Sequence, residues 1–142
     1  MAEGILKKML KQKGIDGIKV TSAGTHAPQG MSPTSLTLLT SAEHGVNLDA
    51  HGAREISKPM VMEADLILVM EKAHQRFIEN IAPSAHNRIF LLKSYGKDES
   101  VDAEVDDPIG QDMDFYRRCF EEIMQELHRI LPVILEKAGR SG

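Results

Sequence analysis

Asp65-Leu66-Ile67-Leu68-Val69-Met70 is an unbroken apolar run behind a single carboxylate. A strand with one face in water alternates apolar and polar residues, so a continuous run of strand length implies a parallel strand covered on both faces. Arg88-Ile89-Phe90-Leu91-Leu92 repeats the pattern. Between the two, Glu71 to Ile81 carries a helical period and stops before Pro83. Strand, helix and strand in that order predict a parallel sheet with helices packed on its faces.

Toward the N-terminus, Pro59 to Ala64 reads as a short helix with Pro near its first turn. Val46 to Arg54 is irregular. Leu36, Leu38, Leu39 and Ala42 predict a helix over 34–44, closed by Gly45. Gly17 to Ser22 alternates and is partly β-branched, which predicts a strand over 18–22. A loop rich in Pro and Gly then runs to Pro33. Residues 2–13 predict a helix with Ile5, Leu6, Met9 and Leu10 on one face, lysines opposite, and Gly14 past its end. No Ser, Thr, Asp or Asn cap precedes Ala2.

Toward the C-terminus, residues 94–112 are polar, acidic and rich in turn formers, so they predict a long surface loop. Tyr116, Phe120, Ile123, Leu127, Ile130 and Ile134 then keep the period of the longest helix. Pro132 is expected to kink or divide it. The reading is an α/β fold of three layers, αβα, with three parallel strands in one domain over residues 1–138. Residues 139–142 form a frayed tail.

With 142 residues and 42% hydrophobic content, the chain has material for one core of its own. A net charge of −4 argues against general nucleic-acid binding, which needs a basic surface. The one dense basic run, Lys7, Lys8, Lys11 and Lys13, reads as a solvated helix face. No apolar run is long enough to span a membrane. A single cysteine, Cys119, excludes an internal disulfide and fits a reducing cytoplasm.

The chemistry-bearing candidates are few. Cys119 lies beside Phe120 on the apolar stripe of the last helix, where a cysteine usually fills space. The six histidines show no metal-ligand spacing, so neither a metal nor another cofactor is expected. His51 and Arg54 share an irregular segment, as a surface turn or as part of a site. Glu104-Val105-Asp106-Asp107-Pro108-Ile109-Gly110 sets two carboxylates before a stiffening proline. That pattern is ordinary turn chemistry or a proton donor held over a site.

Taken in order, the segments resemble the low-molecular-weight protein tyrosine phosphatases, in their bacterial branch. Met1-Ala2-Glu3-Gly4-Ile5-Leu6 is similar to the stretch directly after that family's catalytic loop. Thr21-Ser22-Ala23-Gly24-Thr25 resembles its S-A-G-T turn. Glu43-His44-Gly45-Val46 and His51-Gly52-Ala53-Arg54 resemble the following helix end and basic turn. Glu63 to Met70 and Arg88 to Leu92 resemble its third and fourth strands. Asp107-Pro108-Ile109-Gly110 and Tyr116 to Phe120 resemble the acid loop and the start of the last helix.

The resemblance implies a parallel sheet in the order 2-1-3-4, whose first strand and C-x5-R-S-P loop fall ahead of Met1. That loop wraps a phosphate in backbone amides at a helix N-terminus, and its thiolate attacks phosphorus. Its arginine binds two phosphate oxygens. Asp107 matches the general acid, which protonates the leaving oxygen and then helps water attack the phosphocysteine. Ser22, His51, Arg54 and Glu71 match supporting positions.

The expectation is a phosphatase acting on phosphorylated proteins, at tyrosine or, in a related subgroup, at arginine. Its parent begins upstream of Met1, and these 142 residues are inactive alone. The alternative is a non-catalytic binding or regulatory module. Arsenate reduction on the same fold needs three thiols, which one cysteine does not supply. Without the family's first strand, strands 18–22 and 65–70 either pair directly or leave open edges. Open edges imply marginal stability, self-association or a strand-completing partner. The Ile5/Leu6/Met9/Leu10 face is expected to need a full sheet to cover it.

Overall fold

The computed structural model describes residues 2–24, 35–46, 55–96, 104–105 and 111–139. The elements are α1 (Ala2–Gln12), α2 (Ser35–Glu43), α3 (Lys58–Glu63), β1 (Ile67–Val69), α4 (Lys72–Ile81), a 3-10 helix (Pro83–Arg88), β2 (Ile89–Leu91) and α5 (Met113–Lys137).

β1 and β2 pair in parallel with Ile67 against Ile89, Leu68 against Phe90 and Val69 against Leu91. Their side chains sort by parity, as the pleat requires. Ile67, Val69, Ile89 and Leu91 pack with Val61 of α3 and Ile78 of α4. Leu66, Leu68, Met70 and Phe90 pack instead on the larger core, which holds Ile5, Leu6, Met9 and Leu10 of α1 and the apolar stripe of α5. Both faces of the sheet are therefore covered, and the continuous run at 65–70 has its physical cause. The α1 face needs no wider sheet: its four apolar residues are buried in a core shared with α5.

Three expectations are corrected. Residues 18–22 form no strand among the described residues. Their alternation is nevertheless kept: Ile18, Val20 and Ser22 are half-buried while Lys19 and Thr21 are exposed. Ile18 and Val20 pack against the larger core, but no ladder accompanies the pattern, so the described sheet has two strands and not three. Beyond this segment, Gly24 makes a single parallel bridge to Glu55.

Pro132 does not divide α5, which runs unbroken from Met113 to Lys137. An interior proline costs about 3 kcal/mol. Burial of Ile130, Leu131, Ile134 and Leu135 on either side of it is worth roughly 1.5–3 kcal/mol for each side chain, and so outweighs that cost.

The lysine run is not wholly solvated. Lys8 reaches across to donate to the His44 carbonyl at the end of α2, and Lys7 pairs with Glu3 (3.1 Å).

Two helix ends close as the sequence indicated. After α1, the Gly14 N–H donates to Lys11 and the Ile15 N–H to Leu10, with Gly14 at φ 68°. After α2, Gly45 (φ 73°) and Val46 repeat the arrangement onto Ala42 and Ser41. Both are Schellman motifs, which favour glycine at the left-handed position. α2 lies on α5. His44 stacks on Phe120 with centroids 4.3 Å apart, and Arg117 forks across Glu43 at 2.9 and 3.1 Å. That hydrogen bond from Arg117 holds the Glu43 carboxyl below its ordinary range. The pair is exposed, so it orients the helices more than it stabilises them.

Tyr95 packs on Phe90 (4.8 Å between centroids), and burial raises its phenol above the usual value of 10. A raised folded-state pKa means that the fold favours the neutral phenol. Its contribution is complete below about pH 10 and is lost as pH rises through the folded value. A tyrosinate absorbance titration is expected to show Tyr95 ionising later than in a Tyr95-containing peptide. Titration of Tyr95 at the peptide value would contradict this.

Candidate active site

In open parallel sheets, ligands bind outside the carboxyl ends of the strands. Here β1 leaves that edge through Met70 and Glu71 and enters α4 at Lys72. Glu71 occupies the N-cap position with extended backbone (φ −133°, ψ 151°), and its side chain makes no capping bond. Its carboxylate stands 4.0 Å from the His74 ring on the same helix. Its carbonyl accepts from the backbone N–H groups of His74 and Gln75.

A segment from the acidic loop is fastened at this corner. The Lys72 backbone N–H donates to a Glu104 carboxylate oxygen (2.7 Å), and the Val105 N–H donates to the Met70 carbonyl (2.8 Å). The Val105 side chain is 2% exposed and belongs to the larger core. The surface loop read at 94–112 thus has a buried anchor, which its polar composition concealed.

Ser22 sits at the opening of α1. Its hydroxyl donates to Glu3 (3.0 Å), a carboxylate in the first turn of α1 that is only 9% exposed and also pairs with Lys7. A buried carboxylate needs such partners, and the positive end of the helix favours it as well. Sequence reasoning missed Glu3 and Glu104 as structural participants. The Glu3–Lys7 spacing of four residues was a legible sign of the first. Nothing in the sequence pointed to the second, because its partner is a backbone amide 32 positions away.

Among the proposed supporting residues, Ser22 is therefore held at the start of α1 and Glu71 at the β1–α4 corner, with no hydrogen bond between them among the described residues. His51, Arg54 and Asp107 lie outside the described residues. Cys119 is 5% exposed on the core side of α5, in the position of a space-filling thiol.

Residues 1–140 match the family described as low molecular weight phosphotyrosine protein phosphatase. The probable low molecular weight protein-tyrosine-phosphatase EpsP of Ralstonia solanacearum is 32% identical over 129 residues, which cover 91% of this chain and 79% of the relative. The protein-arginine-phosphatase of Geobacillus stearothermophilus is 26% identical over 122 residues, covering 86% of this chain and 80% of that protein. In three dimensions, the tyrosine phosphatase AmsI of Erwinia amylovora superposes with a TM-score of 0.81 at 27% identity, over 93% of this chain and 82% of AmsI. No described helix is long and apolar enough to cross a membrane.

Proposed function

Because the chain belongs to the low molecular weight phosphotyrosine protein phosphatase family, we propose that its site removes phosphate from protein side chains, with Asp107 as the general acid. The substrate class is a phosphorylated protein, modified on tyrosine or arginine. The observation that carries the reading is the bond from the Val105 N–H to the Met70 carbonyl. It fastens the acidic loop to the carboxyl end of β1, and Asp107 follows two residues later. Two residues of extended chain reach at most about 7 Å, and that covalent limit from Val105 is what supports Asp107 as the acid.

In the first step a thiolate attacks phosphorus, the P–O bond of phosphotyrosine or the P–N bond of phosphoarginine breaks, and the Asp107 proton passes to the leaving oxygen or nitrogen. In the second, water attacks the phosphocysteine, Asp107 takes its proton, and the thiolate leaves. Cys119 is not that thiolate, since it is buried on α5. The family's nucleophile and phosphate-binding arginine lie on a C-x5-R loop, a pattern that these 142 residues do not contain. Ser22, His51, Arg54 and Glu71 are assigned supporting roles around that loop. The Ser22–Glu3 bond at the opening of α1 supports this for Ser22.

The test adds a family-type strand and C-x5-R-S-P loop ahead of Met1. The extended chain is expected to hydrolyse phenyl phosphate, and Asp107→Asn is expected to lower kcat/KM by about 10². A folded extended chain that is inert, or one indifferent to Asp107→Asn, overturns the reading.

A further inference from the structure

The Lys72 N–H at the start of α4 has no partner within its own helix, and the N-cap residue Glu71 does not supply one from its side chain. Glu104 supplies it from the other side of the corner (2.7 Å). The next residue, Val105, gives its own N–H to Met70, the residue that follows β1 (2.8 Å). Two consecutive loop residues thus satisfy one donor and one acceptor on either side of the β1–α4 turn, and the second is locked in the core. A single bond would leave the loop free to swivel. Two bonds and a buried side chain fix Glu104 and Val105 themselves, which directly precede Asp106-Asp107-Pro108 in the sequence. The carboxylate of Glu104 also suits the positive end of α4, which favours this partner over a neutral one.

We propose that Glu104 is a positioning residue for the acid, clamping the entry to the Asp107 segment against the first amide of α4. The proposal rests on the reading of Asp107 given above. Glu104 is exposed, so water competes for its bond and the effect is graded. Small displacements of a reacting group cost up to about 10² in rate, and roughly tenfold is expected here.

A general acid matters in proportion to the basicity of its leaving group. The readout is therefore the ratio of kcat/KM for dinitrophenyl phosphate to that for phenyl phosphate, in the loop-bearing chain. Glu104→Ala is expected to widen the ratio roughly tenfold. Glu104→Gln keeps an oxygen that accepts from Lys72 and is expected to restore most of the difference. In residues 1–142 as they stand, Glu104→Ala is expected to speed hydrogen exchange at the Lys72 and Val105 amides. If exchange quickens while the ratio stays fixed, or if exchange is unchanged, the proposal is overturned. An unmoved ratio for Asp107→Asn would remove the acid and this proposal together. A widened ratio for Asp107→Asn beside an unmoved one for Glu104→Ala would remove the proposal alone.

Discussion

Residues 1–142 expressed by themselves are expected to release no phosphate from an aryl ester above the uncatalysed background. Phosphoryl transfer by this family's chemistry needs a thiolate in a ring of amides and a guanidinium on the phosphate. The chain contains one cysteine, and it lies on the core side of α5 at 5% exposure. At that burial the sulfur offers no open approach to a phosphate ester. Asp107 alone does not compensate, because an acid assists a bond that something else must first attack. Deleting the nucleophile from such a linked set costs about 10⁶ in kcat in a serine protease, and a loss of that order is expected here. The check is a discontinuous phosphate-release assay on the purified chain beside its Cys119→Ser and Asp107→Asn variants. Turnover that disappears in either variant would show that the chemistry resides in these residues after all.

The largest expected loss of stability comes from Phe120→Ala. Phe120 is fully buried, stacks on His44 at the end of α2, and sits at the centre of the α5 stripe between Tyr116 and Ile123. Truncating a buried phenylalanine costs about 3–5 kcal/mol, through lost transfer energy and the cavity left behind. Domains of this size are stable by about 5–15 kcal/mol in total. The urea midpoint should therefore fall by a large fraction of its value. Leu39→Ala on α2 is the matched control. Leu39 is 57% exposed, and its truncation is expected to stay within about 0.5 kcal/mol of the parent. Similar shifts for the two variants would mean that α2 is not seated on α5 as described.

Much of this architecture was legible before any coordinates. The apolar runs at 65–70 and 88–92 have no polar positions to turn toward water, so they required cover on both faces, and the parity of their packing supplies it. Gly14 and Gly45 marked helix ends because a left-handed residue there suits glycine best. The six apolar positions of the α5 stripe named in the sequence are all buried. Other features were not legible. Residues 18–22 kept their alternation but not their ladder, since a strand exists only through a neighbour and the residues themselves do not carry one. Pro132 was expected to kink or divide α5 because its local cost is plain in sequence, whereas the burial that keeps the helix undivided is tertiary.

The site divides along the same line. Read by itself, the chain offered Ser22, His51, Arg54, Glu71 and Asp107 as candidates because of their order, and order along a chain is a property of covalent sequence. Only the tertiary structure decided that Glu3 is buried under Ser22, and that Glu104 and Val105 fasten the acidic loop to the end of β1. Those bonds run to a carboxylate at the opening of α1, a helix amide and the carbonyl just past a strand. Backbone groups are the same at every residue, so no sequence motif can mark which of them a distant side chain will meet.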